Sequence, residues 1–343
     1  MEKLVLNGTL IDRGEASVDI EDRGYQFGDG IYEVVRVYGG RLFTSEMHLK
    51  RLYQSAEKLS LHIPYTMEQL TAQLEALVAA NRLDTGIVYL QFTRGVAKRK
   101  HHFPETSETT FVAYTSEMER PLEKMRKGVK AVLAEDIRWL RCDIKSLNLL
   151  GNVLAKQKAV ENGAYEAIQH RGETVTEGSS SNVFIVKDGV LLTHPATNLI
   201  LNGITRQVVF GICGKEGIPF REEPFTVADL RAADEVLMTS TTSEIMPIVD
   251  IDGKPVADGT PGAITLKLQQ AFDREIHALS AAVPARQNKR RGIPLAGGTV
   301  KGMPLAIFGA WLLLLLPVQA PTCGQAQFDE EMASSVHNTR FCK

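Results

Sequence analysis

The stretch RCDIKSLNLLGN, residues 141–152, sets one lysine, Lys145, among the apolar neighbours Ile144 and Leu147 and runs on into a helical pattern. An ammonium in partly apolar surroundings is desolvated, which lowers its pKa and frees the amine to act as a nucleophile. About thirty residues later TEGSSSN, residues 176–182, places Glu177 in a turn of small polar residues. Taken singly, a lysine or a glutamate is most often a solvated surface residue. These two are accompanied by four other dense polar segments in apolar surroundings: EDRGYQFGDGIYE at 21–33, Arg99-Lys100-His101, Gly203-Ile204-Thr205-Arg206, and TSTTSE at 239–244.

Outward from these segments the chain alternates short strands with amphipathic helices. Asn7-Gly8 between two apolar runs predicts a type I′ hairpin, and Ile31–Tyr38 a strand ended by Gly39-Gly40. Ser45 is placed to N-cap a helix whose Leu49, Leu52, Tyr53, Ala56 and Leu59 share a face. Thr66 and Gln69 form a capping box before Leu70, Leu74, Leu77 and Val78. Strands are expected at Gly86–Thr93 and Thr109–Thr115, completing a small α/β domain over 1–115, with a charged linker holding Pro121 at 116–127. A larger, strand-rich domain follows over 128–280, with strands at Val129–Ala134, Tyr165–His170, Asn182–Val186, Val190–Thr193, Glu235–Thr239 and Ile245–Ile251. Its helices are expected at Asn148–Asn162, Ile204–Glu216 and Pro261–Leu279, the last capped by Thr260. Regular β-α-β alternation is absent, so a doubly wound parallel sheet is not expected.

The chain has 343 residues, 44% hydrophobic and 23% charged, which excludes a disordered chain and provides for two cores. Lys plus Arg number 39 against 41 Asp plus Glu, so no basic field invites nucleic acid. Cys142, Cys213, Cys323 and Cys342 form no C-x-x-C pair, and MEKLVLNGTL carries no secretory pattern, both of which fit a reducing cytoplasm. Gly28-Asp29-Gly30 is followed by Glu33 where a dinucleotide fingerprint requires glycine, and Gly214-Lys215 has Val209 where a P-loop requires it. With no H-E-x-x-H, and with His101 and His102 adjacent, no metal site is expected.

Together these segments closely resemble the fold-type IV family of pyridoxal-phosphate aminotransferases, and most closely its bacterial D-amino-acid aminotransferases, over about residues 1–280. The resemblance implies an α/β (α+β) enzyme with a small N-terminal α/β domain and a larger, β-rich pseudo-barrel C-terminal domain. It gives Lys145 the role of holding the aldehyde of pyridoxal 5'-phosphate and of moving the substrate proton. Glu177 is implied as the partner of the pyridine nitrogen, keeping it protonated so that the ring accepts electrons. The phosphate falls to Arg51, Ile204, Thr205, Ser240 and Thr241; Gly203-Ile204-Thr205 opens a helix, whose free N–H groups suit an anion. Tyr32, Arg99 and His101 are implied as the grip on the substrate α-carboxylate, for which an arginine fork is suited.

The implied reaction moves an amino group from D-alanine to 2-oxoglutarate, giving pyruvate and D-glutamate. The implied assembly is a homodimer in which the Arg99 loop reaches the neighbouring subunit's site. The rivals are a branched-chain L-aminotransferase and an aminodeoxychorismate lyase, which share the lysine and glutamate segments; the Arg99-x-His101 pair argues against both. A different class, a non-catalytic or membrane-tethered cofactor binder, draws support only from residues 281–343. There the apolar run Leu305–Leu316 is 12 residues, short of the roughly 20 that span a bilayer. The tail reads as an appended segment rather than an anchor, and no membrane association is expected.

Overall fold

A computed structural model describes residues 2–281 of the chain; the tail reading lies outside the described residues. Strands β1 (Lys3–Leu6), β2 (Thr9–Asp12), β3 (Gly30–Tyr38), β4 (Arg41–Leu42), β5 (Gly86–Thr93) and β6 (Thr110–Glu117) make one antiparallel sheet, ordered β2-β1-β6-β5-β3-β4. The Asn7-Gly8 turn has φ of 49° and 81°, as a type I′ hairpin requires. Between the strands run α1 (Arg23–Phe27), α2 (Ser45–Lys58) and α3 (Met67–Asn81). Leu49 and Leu52 of α2 and Leu70, Leu74 and Leu77 of α3 are buried with Val35, Val88, Leu90 and Phe92 in one core, each such leucine contributing about 1.5–3 kcal/mol. The Thr66–Gln69 capping box forms with bonds of 2.8 and 3.2 Å. Ser45 is instead the first helical residue. Thr44, at φ 53°, enters the helix and turns its hydroxyl onto the Phe43 carbonyl.

The second sheet is mixed and is built from β7 (Val129–Glu135), β8 (Glu166–Arg171), β9 (Thr174–Gly178), β10 (Asn182–Lys187), β11 (Val190–Thr193), β12 (Phe220–Glu222), β13 (Glu235–Ser240), β14 (Glu244–Ile251) and β15 (Lys254–Pro255). Its order is β12-β11-β10-β13-β14-β7-β8-β9, with β15 on β14. In that order β9 and β10 lie five steps apart, yet Gly178 N–H donates to the Ser181 carbonyl in the short turn that joins them. The sheet must therefore curl until its edge strand returns to β10, which makes a nearly closed barrel wall. Packed on it are α4 (Leu122–Lys127), α5 (Leu150–Glu161), α6 (Ile204–Glu216), α7 (Val227–Arg231) and α8 (Ala263–Ala281).

Several local expectations need correction. Within 116–127, Ser116 and Glu117 continue β6 and Leu122–Lys127 is helical, because Met125 is buried against the second core. Strands β9 and β12 were not expected; β12 is an exposed edge strand of three residues. Thr260 does not cap α8 but bonds Asp258. The Glu235 carboxylate accepts from the N–H groups of Ile264 (2.9 Å) and Thr265 (2.8 Å) instead, since a full negative charge suits a helix N-terminus better than a hydroxyl. No described helix is long and apolar enough to cross a membrane.

Candidate active site

Lys145 lies on the segment between β7 and α5, which is laid along the start of β3. Tyr32 N–H donates to the Lys145 carbonyl (3.0 Å), Leu147 N–H to the Gly30 carbonyl (3.0 Å), and Ile31 bridges Ser146. The Lys145 N–H is bonded to Ser55 Oγ of α2 at 3.2 Å. These ties fix the backbone, and the half-buried side chain carries Nζ to 4.1 Å from the centre of the Tyr32 ring. Both residues line a cavity of about 320 Å³, which Glu177, Asn182, Arg51, Ile204, Thr205, Ser240 and Thr241 also line.

Glu177, on β9, is buried and collects four donor contacts: Arg138 Nη1 (2.5 Å), Asn182 Nδ2 (3.0 Å), and Leu201 N–H on both oxygens (3.2 and 3.1 Å). Burial pushes its carboxyl up to about 7, against the Arg138 guanidinium and the Leu201 N–H, which favour the charged form. A second cation facing this carboxylate would stabilise it further. Arg138 is aimed by Asp136, which accepts from its Nε and Nη2 at 2.8 Å and also from Arg171 (3.1 Å) and Thr176 (2.9 Å). Burial alone would raise the Asp136 carboxyl, but Arg138, Arg171 and Thr176 hold it down to about 2. Its stabilising contribution is therefore present above the ordinary carboxyl range near about 4 and lost as pH falls through that range toward about 2. Asp136→Asn should cost about 3–5 kcal/mol in urea unfolding at pH 7, because it leaves two guanidinium groups short of a charge. A loss under about 1 kcal/mol, or no narrowing of the gap to the parent at pH 3, would count against this role.

The three serines of TEGSSSN serve a neighbouring carboxylate. Buried Glu166 accepts from Ser179 N–H (3.2 Å), Ser181 Oγ (2.9 Å), Ser180 Oγ (3.4 Å) and the Ser179 hydroxyl, knotting the turn that separates Glu177 from Asn182. At the other end of the cavity Gly203 caps α6, and the first-turn N–H groups of a helix have no intrahelical partner. A Cβ on Gly203 would fall 2.0 Å from Asn182 Oδ1, so glycine alone permits this close approach. Arg51 donates to the Asn202 carbonyl (2.9 Å) and forks onto Glu33 (2.7 and 2.9 Å), which His48 Nδ1 also meets at 2.8 Å. Burial would raise the Glu33 carboxyl, but Arg51 and His48 overcome it and hold the group well below the usual range.

An amine, a buried carboxylate and a cluster of anion-type donors thus face one cavity, an arrangement suited to a ligand with a carbonyl, a basic ring nitrogen and a phosphate. The amino-transferase class IV family profile matches residues 30–251. The chain belongs to the class IV aminotransferases. D-alanine aminotransferase of Staphylococcus aureus (strain MSSA476) is 54% identical over 281 residues, 82% of this chain and 100% of that one. The enzyme of the same name from Listeria monocytogenes serotype 4b (strain F2365) is 56% identical over 277 residues, 80% and 96%. Among solved structures, a T.th. branched-chain amino acid aminotransferase with pyridoxamine 5'-phosphate superposes with TM-score 0.76 at 27% identity, covering 82% of this chain and 95% of that one. The Escherichia coli branched-chain enzyme gives 0.75 at 26%, covering 80% and 94%.

Of the ten residues singled out from the sequence, this aminotransferase brings eight to one cavity. Arg99 and His101 are not among them. Both are exposed on the β5–β6 loop, the Arg99 guanidinium 4.9 Å and the His101 ring 5.7 Å from the ring of Phe27. Arg23 donates to the carbonyls of Lys100 (2.7 Å) and His101 (3.5 Å), so the loop has a defined position in its own chain. Sequence reasoning missed Arg138, Asn182, Leu201 and Ser55. Asn182 stood inside TEGSSSN, and a buried carboxylate at Glu177 demands a cation; IRWLRCD offers Arg138 and Arg141 just upstream of Lys145. Nothing in the sequence pattern points to Ser55 or Leu201, which act through a helix face and a backbone N–H.

Proposed function

We propose that this aminotransferase moves the amino group of a D-amino acid, D-alanine in the first place, to 2-oxoglutarate, on pyridoxal 5'-phosphate held by Lys145. The observation that carries the reading is the shared cavity of the Lys145 amine and the buried Glu177 carboxylate with its ring of donors. The donor set fits that group: α6 presents its N-terminus, Thr205, Ser240 and Thr241 add hydroxyls, and Thr239 Oγ1 is buried without a hydrogen-bond partner among the described residues. When bound, pyridoxal phosphate supplies an aldehyde for the amino group and a ring that accepts the electron pair left at Cα.

The chain's own residues do the rest. Lys145 Nζ takes the Cα proton and returns it, from the side of the cavity on which the Tyr32 ring lies. Glu177, backed by Arg138 and Asp136, holds a proton on the ring nitrogen; a neutral amide there would not. Arg51, with its charge already engaged by Glu33, offers directed N–H groups rather than a free cation.

The D-alanine reading rests on the relatives of that name, at more than half identity, and on the Arg99-x-His101 pair. Arg99 and His101 serve the cavity of a second copy in a homodimer. Tyr25, Ile137, Leu140 and Leu150 are exposed by 80%, 62%, 59% and 72%, an apolar surface for a second chain to cover. Among the described residues Cys142 and Cys213 are buried and form no disulfide, in keeping with a reducing cytoplasm. The test is chiral analysis of products from D-alanine and 2-oxoglutarate: pyruvate and D-glutamate are expected in equal amounts. L-glutamate as the product would overturn the stereochemical reading and favour the branched-chain alternative.

A further inference from the structure

Behind the Ser240–Thr241 turn lies a knot of buried charge that the transfer chemistry leaves unused. Glu244 is the first residue of β14, pairs with Ser240 across the hairpin, and is 1% exposed. Its φ is 54°, in the left-handed region where a hairpin ordinarily places glycine. A glutamate stays in such a conformation only where its surroundings over-determine it. Here they do. Arg120 forks onto it, Nε to Oε1 at 2.7 Å and Nη2 to Oε2 at 2.6 Å, and Tyr38 Oη donates to Oε1 at 2.9 Å. Arg120 is held in turn by Asp273 of α8 at 2.5 Å, and the Arg36 and Arg120 guanidinium groups lie 5.3 and 5.9 Å from the centre of the Tyr38 ring.

The clamp thus gathers β3, the segment before α4, and α8 onto the residue that ends the turn. Within the turn Ser243 N–H donates to Ser240 Oγ at 3.0 Å, leaving that hydroxyl's own proton available. We propose that Glu244, clamped by Arg120 and Tyr38, is a positioning residue that fixes the Ser240–Thr241 turn and so sets affinity for the phosphate end of the ligand. The inference rests on the reading of Ser240 and Thr241 as phosphate donors.

Two probes isolate it: pyridoxal 5'-phosphate and pyridoxal, which lacks the phosphate, each titrated into the full chain after removal of bound cofactor. Arg120→Met should weaken the phosphorylated probe by at least about tenfold, the loss of a charge-assisted pair, and leave pyridoxal within about twofold. Arg120→Lys, which keeps the charge and loses the fork, should recover part of the affinity. Equal loss for both probes, or no loss for the phosphorylated one, overturns the proposal. Should Arg120→Met fail to fold, Tyr38→Phe removes a single hydrogen bond, and a phosphate-selective loss of about threefold is expected; its absence is equally fatal. The Ser240→Ala/Thr241→Ala double variant separates the two readings. If it binds like the parent while Arg120→Met shows the selective loss, the side-chain hydroxyls fall as donors and the clamp stands only as a support of the turn's backbone N–H groups; if it loses affinity and Arg120→Met does not, the clamp falls and the donors stand.

Discussion

Lys145→Ala is expected to abolish amino transfer, by a factor on the order of 10⁴ or more, and to end covalent retention of the cofactor. A positioned acid–base group alone accounts for about 10²–10⁴, and on the proposed function the same nitrogen is also the anchor. Among the described residues no second amine can take over. Lys156 is the other lysine lining the cavity, but its Nζ is bonded to the Tyr165 carbonyl and sits 4.9 Å from the centre of the Tyr165 ring. The measurement is borohydride reduction of parent and variant followed by peptide mass analysis: the reduced adduct should appear on Lys145 in the parent and nowhere in the variant. An adduct on Lys156, or turnover within about a hundredfold of the parent, would move the chemistry off Lys145.

The lysine and glutamate that share the cavity were legible because they stand in short segments of distinctive residue type at fixed spacing. Lys145 and Glu177 could be read from two short segments, and the N-terminus of α6 from glycine before an apolar run. The capping box at Thr66 and the turns at Asn7-Gly8 and Gly217 follow likewise from local backbone chemistry, and the φ values bear them out. What stayed hidden depends on residues far apart in sequence. Arg138, on the loop after β7, reaches Glu177 on β9 across about forty residues; the Glu235 cap of α8 crosses about thirty; Glu166 meets three serines across a hairpin. At α8 a charge chosen by tertiary proximity displaces the local cap that sequence suggests, Thr260. Strand β9 was missed because its five residues, TVTEG, are mostly buried with no alternation to betray them.

The solved relatives and the sequence relatives emphasise different things. Branched-chain enzymes share the scaffold at TM-scores of 0.75 and 0.76 with 26% and 27% of residues identical, as a fold that hosts several substrates should. The D-alanine enzymes share more than half the residues. On the proposed function, what distinguishes substrates within the scaffold is the grip on the substrate carboxylate, which adds Arg99 and His101 of the β5–β6 loop to Tyr32 of the cavity wall.

That loop gives the second large effect. On the proposed function Lys145 approaches Cα from one face only, so the enantiomer whose carboxylate is gripped by Arg99, His101 and Tyr32 would present its proton to the amine, and its mirror image would misplace one or the other. Losing a charge-assisted partner costs about 2–3 kcal/mol, so Arg99→Ala should lower kcat/KM for D-alanine by roughly 30- to 150-fold with cofactor absorbance unchanged. In its own chain Arg99 rests against Phe27, outside the cavity, so in the proposed homodimer the effect crosses to a second copy. Mixing makes this visible. A mixed dimer of Lys145→Ala and Arg99→Ala chains has one site with the intact lysine on one chain and the intact arginine on the other. Random reassortment of equal amounts puts half the dimers in this mixed form with one of two sites working, so about a quarter of parental D-alanine activity should return. Were Arg99 to act within its own chain, every site in the mixture would lack either lysine or arginine, and activity would stay at the level of the two variants alone.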